Sequence, residues 1–157
     1  MSNFTDVVRI PPPVRRMCDL HELLKAVQIL LSGECETRNI TWQWELSPQP
    51  FKVELDVQQM EQVLVNACKN AIEAIGENGQ LTVNTMNSTG KRLIIRDTGK
   101  GISKDIRSNL FTPFFSTKKN GQGIGLTLIK EILVNHGFSF SLESSKNGFT
   151  EFTIDFE

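Results

Sequence analysis

The chain has 157 residues, and its 17 basic and 18 acidic side chains leave a net charge of −1. That length suits one domain with a real core. The balanced charge excludes a global field of the kind that draws nucleic acid or an anionic membrane surface. No apolar run approaches the roughly 20 residues that span a bilayer, and the amino terminus lacks a signal-peptide core. A cytoplasmic domain without direct membrane contact is expected, and an anchor elsewhere in a longer protein stays open. Cys18, Cys35 and Cys68 form no CxxC pair and have no metal spacing with His21 or His136, so they read as thiols of a reducing compartment.

Residues 1–18 contain Pro11-Pro12-Pro13 followed by Arg15 and Arg16, a composition that cannot form a regular helix and suits a linker. The domain is expected to start near Asp19, where Asp19 and Glu22 make a plausible capping pair. Leu20, Leu23, Leu24, Val27, Leu30 and Leu31 then repeat at helical spacing. Ile40, Trp42, Trp44 and Leu46 alternate with polar residues, the period of a half-buried strand. Both tryptophans therefore share a face, expected to be the core face, with a partner-facing surface as the alternative.

A second helix is predicted over 57–75, with Met60, Val63, Leu64, Ala67, Ala71, Ala74 and Ile75 along its buried stripe. Residues 81–86 and 92–96 read as a hairpin. The pattern then breaks from Thr98 to Gly123, a segment rich in Gly, Ser, Thr, Lys and Asn, and so long an irregular stretch in a compact domain is usually functional. A third helix over 124–135 and two strands, 138–143 and 149–156, complete the series. This order suggests helices layered on one face of a mixed sheet, an α+β fold.

Three clusters carry possible chemistry. Asn66 and Asn70, four apart, project from one face of the second helix with Glu73, where amide oxygens could meet a hard cation such as Mg²⁺ or simply face solvent. Asp97-Thr98-Gly99-Lys100-Gly101 places a carboxylate at a strand end beside glycines that let a flat base approach; an ordinary turn is the alternative. Gly121-Gln122-Gly123-Ile124-Gly125-Leu126 opens the third helix, where exposed N–H groups and the helix dipole suit polyphosphate. It is neither a P-loop nor a dinucleotide-binding element.

In this order, NxxxN, DxGxG, a loop containing Phe111-Thr112-Pro113-Phe114-Phe115-Ser116-Thr117-Lys118, and GxGxGL resemble the four sequence boxes of histidine kinase catalytic domains. The match is strong over 56–126 and weaker on the flanks, where residues 3–18 are similar to the end of a preceding dimerisation domain and its linker. The resemblance implies a two-layer α/β sandwich of the Bergerat type over 19–157, with three helices on one face of the sheet and a long ATP lid. It implies ATP and Mg²⁺ as cofactors. A dimerisation domain that carries the phosphoacceptor histidine, and downstream a response regulator receiver domain, are the implied partners.

Residue by residue, the resemblance gives Asn70 the Mg²⁺, with Asn66 assisting; Asp97 would accept from the adenine amine, with Gly99 and Gly101 closing on the base. Lys118 would reach the phosphates, and Gly123 and Gly125 would supply lid amides. Ile102, Thr117, Gly121, Ile124 and Leu126 complete the implied nucleotide set, with Thr150 in the water network behind Asp97. Phe111, Phe114 and Phe115 would anchor the lid or pack in the core. Two departures matter: Glu73 stands where many members carry a basic residue, and Asn66 stands where related ATPases carry a glutamate base, so efficient hydrolysis is not expected. His21 lacks an acceptor motif, and His136 is expected to have a surface role at a helix C-terminus. The rival readings are an ATPase clamp, an anti-sigma-type serine kinase and a nucleotide sensor that transfers nothing.

Overall fold

The computed structural model describes residues 10–99, 123–144 and 149–157. Its elements in chain order are β1 (Arg16–Asp19), α1 (Leu20–Thr37), β2 (Ile40–Glu45), β3 (Lys52–Leu55), α2 (Val57–Ile75), β4 (Gly79–Met86), β5 (Arg92–Asp97), α3 (Gly123–His136), β6 (Ser139–Ser144) and β7 (Thr150–Asp155). Five strands form one sheet in the order β2-β4-β5-β7-β6, parallel between β2 and β4 and antiparallel elsewhere. β1 and β3 pair antiparallel in a sheet of their own.

The two-residue period of a strand sorts the five-stranded sheet into two faces. Leu81 and Val83 of β4, Leu93 and Ile95 of β5, and Phe152 and Ile154 of β7 are buried, with Val83, Ile95 and Phe152 in one row across the sheet and Leu93 opposite Ile154. They meet the buried stripes of the helices, Leu20, Leu24, Val27 and Leu31 of α1, Met60, Val63, Leu64 and Ile72 of α2, and Ile129, Ile132 and Leu133 of α3. The other face is polar and carries the ion pairs Arg92–Asp155 and Arg96–Glu151, each 2.7 Å. The expected layering of three helices on one face of a mixed sheet is what the molecule has.

Local sequence sets the helix starts. Asp19 caps α1, accepting from the His21 N–H at 3.0 Å and also from the Phe51 N–H at 3.1 Å. Asp56 caps α2, accepting from Gln59 N–H at 3.1 Å. Each satisfies donors that a helix N-terminus leaves unpaired.

Several details depart from the sequence expectations. Leu30 is 65% exposed, although Leu23, seven residues earlier on the same face of α1, is buried. Trp44 is 37% exposed while Trp42 packs partly into the core; β2 is an edge strand, and Trp44 near its end rests on Trp42 with ring centroids 5.5 Å apart. Ala74 is exposed and Ile75 half-buried, at the last turn of α2. Arg16–Cys18, expected in the linker, form most of β1, and β3 was not anticipated, although Phe51, Val53 and Leu55 alternate inward.

His136 is buried rather than at the surface. Its Nδ1 donates to the Ile132 carbonyl at 2.8 Å, which leaves Nε2 to accept from the Asp56 N–H at 3.1 Å. Burial lowers its pKa. His21 is also buried and bonds Thr85 Oγ1 at 2.8 Å, so both histidines are spent on the fold. The three cysteines are free thiols, and burial pushes Cys68 up to about 12.

Candidate nucleotide site

Asp97 is the last residue of β5, and strand parity decides where it points. It follows Leu93 and Ile95 at two-residue intervals, so the alternation that buries those side chains turns Asp97 into the same layer between sheet and helices. It is 4% exposed, lies across from Leu81 of β4 and Thr150 of β7, and Thr150 is buried as well. Burial pushes the carboxyl up to about 6, against the pull of the Gly99 N–H, which donates to its Oδ1 at 2.8 Å.

Gly99 comes next because the turn leaves no room for a side chain. A Cβ there would stand 2.7 Å from Asp97 Oδ1 and 2.9 Å from both the carbonyl carbon and the Cβ of Ala74, so the backbone lies flush against the last turn of α2. Asn66, Asn70 and Ala74 are spaced by four along that helix and share one face. The contact of Ala74 with Gly99 therefore brings the amide face of α2 and the buried carboxylate of β5 to one end of the domain. Asn66 and Asn70 are both half-buried, and Asn66 Nδ2 donates to the Gln62 carbonyl at 2.9 Å, which leaves Oδ1 as its acceptor.

The donor set fits the groups the sequence implies. A buried carboxylate with one backbone partner among the described residues keeps acceptor capacity for an exocyclic amine, and amide oxygens are ligands that Mg²⁺ accepts. Gly123, Ile124 and Gly125 form the first turn of α3, where main-chain N–H groups are unpaired within the helix. Leu126 packs half-buried against the core. Gly101, Ile102, Phe111, Phe114, Phe115, Thr117, Lys118 and Gly121, with the expected lid between Thr98 and Gly123, lie outside the described residues, as do the side chains of 123–125.

Residues 55–157 match the family model described as histidine kinase-, DNA gyrase B-, and HSP90-like ATPase. The chain belongs to that family. Among curated relatives, the sensor histidine kinase ZraS of Salmonella typhi is 31% identical over 98% of this chain and 34% of its own length. This chain thus spans about a third of the length of such relatives. The catalytic domain of histidine kinase ThkA superposes with a TM-score of 0.83 at 30% identity, over 90% of this chain and 94% of that one. ThkA in complex with response regulator protein TrrA matches at a TM-score of 0.74 and 29% identity, over 91% and 42% of the two chains. The fold is that of a histidine kinase catalytic domain, and its family is an ATP-binding one.

Sequence reasoning missed what shapes the turn after Asp97. Thr98 Oγ1 accepts from the Gln80 N–H at 3.0 Å, and Ala74 stands against Gly99. The one signal in the sequence was Gly79, which opens β4 where a Cβ would stand 2.6 Å from that hydroxyl.

Proposed function

We propose that this domain binds Mg-ATP at the Asp97 end of its sheet and donates the γ-phosphoryl group to a histidine on a dimerisation domain outside this chain. The observation that carries the reading is the buried Asp97 carboxylate, which faces the helix layer, accepts from one backbone N–H among the described residues and lies against the glycine that meets α2. Asp97 accepts from the adenine amine, and Gly99 and Gly101 let the backbone close on the base. Thr150, beside Asp97, anchors the water behind it.

Asn70, assisted by Asn66, holds the metal, which supplies charge neutralisation on the phosphates when bound. Lys118, Thr117 and the amides at Gly121, Gly123 and Gly125 hold the polyphosphate, while Ile102, Ile124 and Leu126 complete the nucleotide site. In the transfer, the bond between the γ-phosphorus and the β–γ bridging oxygen breaks with its electron pair leaving on ADP. A bond forms from phosphorus to the unprotonated nitrogen of the neutral imidazole, and the ring, now cationic, releases the proton of its other nitrogen. No base from this domain is needed beyond positioning and electrostatics, in keeping with Asn66 where a hydrolytic glutamate would stand. The likeness to ThkA, solved with a response regulator, supports a receiver domain as the next acceptor.

The test is transfer in trans. Incubated alone with labelled ATP, the domain should remain unlabelled, because both histidine rings are buried and bonded. Mixed with a dimerisation domain bearing the acceptor helix, it should place acid-labile, base-stable label on that histidine, slowly and in proportion to concentration since the tether is lost. Acid-stable label on serine, steady release of phosphate, or binding without transfer to any cognate domain would each replace the kinase reading.

A further inference from the structure

In an antiparallel ladder, two residues of a hydrogen-bonded pair exchange both main-chain bonds. Gln80 and Thr98 stand one step beyond the Leu81–Asp97 pair and make half of this exchange: the Thr98 N–H donates to the Gln80 carbonyl at 3.2 Å. The return bond is different. The Gln80 N–H donates at 3.0 Å to the Thr98 side-chain hydroxyl, not to its carbonyl. The hydroxyl stands in for the main-chain acceptor, so the chain leaves the ladder at Thr98 without stranding a donor on β4.

The functional turn begins at this exit. Released from β4, the next amide, Gly99 N–H, folds back onto Asp97 Oδ1 at 2.8 Å, the pattern of an aspartate turn. Gly99 thereby reaches Ala74 of α2. Gly79 is matched to the same hydroxyl, because a Cβ on Gly79 would stand 2.6 Å from Thr98 Oγ1 and 2.4 Å from Ile75 Cγ2.

We propose that Thr98 is a positioning residue for the base-binding carboxylate: its hydroxyl ends the β4–β5 ladder so that Gly99 caps Asp97 and fixes the acceptor oxygen. This role rests on the assignment of Asp97 to the adenine site and deepens it. Thr98 itself touches no substrate; it acts through the turn.

Thr98→Val and Thr98→Ala remove the acceptor, whereas Thr98→Ser keeps it. Carbon-13 NMR titration of the Asp97 carboxyl, without nucleotide, reads the turn directly. Loss of the Gly99 bond removes the interaction that pulls this carboxyl down, so its titration midpoint should move upward in Thr98→Val and Thr98→Ala and stay in place in Thr98→Ser. Calorimetry with ADP should show affinity falling about fivefold in the first two, the size of one net hydrogen bond, and holding within about twofold in the serine variant, which keeps that bond. The proposal is overturned if Thr98→Val or Thr98→Ala titrates as the unsubstituted protein does, or if Thr98→Ser behaves like them. Should the unsubstituted protein bind no ADP, the nucleotide reading fails, yet the carboxyl titration still decides the role of Thr98. The alanine variant serves if the valine variant does not fold.

Discussion

Asp56 and Asp97 each stand at the end of a strand, and the protein uses them in opposite ways. Asp56 follows β3, caps α2 through Gln59 N–H and accepts from Val14 N–H at 2.9 Å. Those backbone donors, Val14 first, hold its carboxyl below the usual range. Asp97 follows the inward row of β5, is buried, and takes a single backbone donor among the described residues, so its carboxyl is pushed up to about 6. An aspartate supplied with several backbone donors closes a joint in the fold. One carried inward by strand parity and left with open acceptor capacity costs stability and keeps a place for a ligand.

Substitutions can break this contrast, and the largest effect should be at the ligand seat. Asp97→Asn should weaken adenine-nucleotide binding by on the order of 1.5–3 kcal/mol, the worth of a hydrogen bond to a charged group, while leaving thermal stability unchanged or higher. Isothermal titration and a melt together decide it; unchanged affinity would remove Asp97 from the base site. Asp56→Ala should do the reverse, with a loss of about 0.5–2 kcal/mol in unfolding free energy from the lost cap and no change in nucleotide affinity.

Acidity sharpens the same contrast. Because the folded state raises the Asp97 pKa from 3.8 to about 6, its contribution to stability is fully present below 3.8 and is lost as pH rises through about 6. On the proposed reading nucleotide binding runs the other way, because an amine donating to Asp97 would favour the ionised acceptor, so affinity should fall as pH drops below about 6. Comparing melts and ADP titrations of the unsubstituted protein with Asp97→Asn from about pH 5 to about pH 8 isolates these effects from other groups. Asp56, whose pKa is lowered, supports the fold at neutral pH and loses that support only as pH falls through its folded value. The smallest expected effect is Trp44→Ala, which should cost less than Trp42→Ala in urea unfolding, because Trp44 is 37% exposed and Trp42 packs against the core.

Most of the fold was legible because periodicity and burial coincide. Leu81, Val83, Leu93, Ile95, Phe152 and Ile154 alternate in sequence and align in the sheet, and α2 occupies the predicted 57–75. The errors fell where position in the assembly, not local pattern, decides exposure. Trp44 has a core strand's spacing but lies near the end of an edge strand, and Leu30 shares its helix line with buried Leu23 yet is exposed. His136 read as a surface residue because nothing local reveals that Asp56, 80 positions earlier, presents its N–H there. The parity of β5 buries Asp97, and this was readable in Leu93-Ile94-Ile95-Arg96-Asp97. The hydroxyl of Thr98 as a ladder acceptor left no sequence mark beyond Gly79, because it depends on the register between β4 and β5.

If Asp97 recognises the amine of an adenine base, a cycle of one substitution against one ligand change measures that contact alone. ATP and N6,N6-dimethyl-ATP, which has no amine hydrogen to donate, should be titrated into the unsubstituted protein and Asp97→Asn in the presence of Mg²⁺. The unsubstituted protein should prefer ATP by about 10- to 100-fold, the range of a charge-assisted hydrogen bond, and Asp97→Asn should lose most of that preference. Equal binding of the two nucleotides by the unsubstituted protein, or a preference that survives intact in Asp97→Asn, would show that the base is not read by this carboxylate.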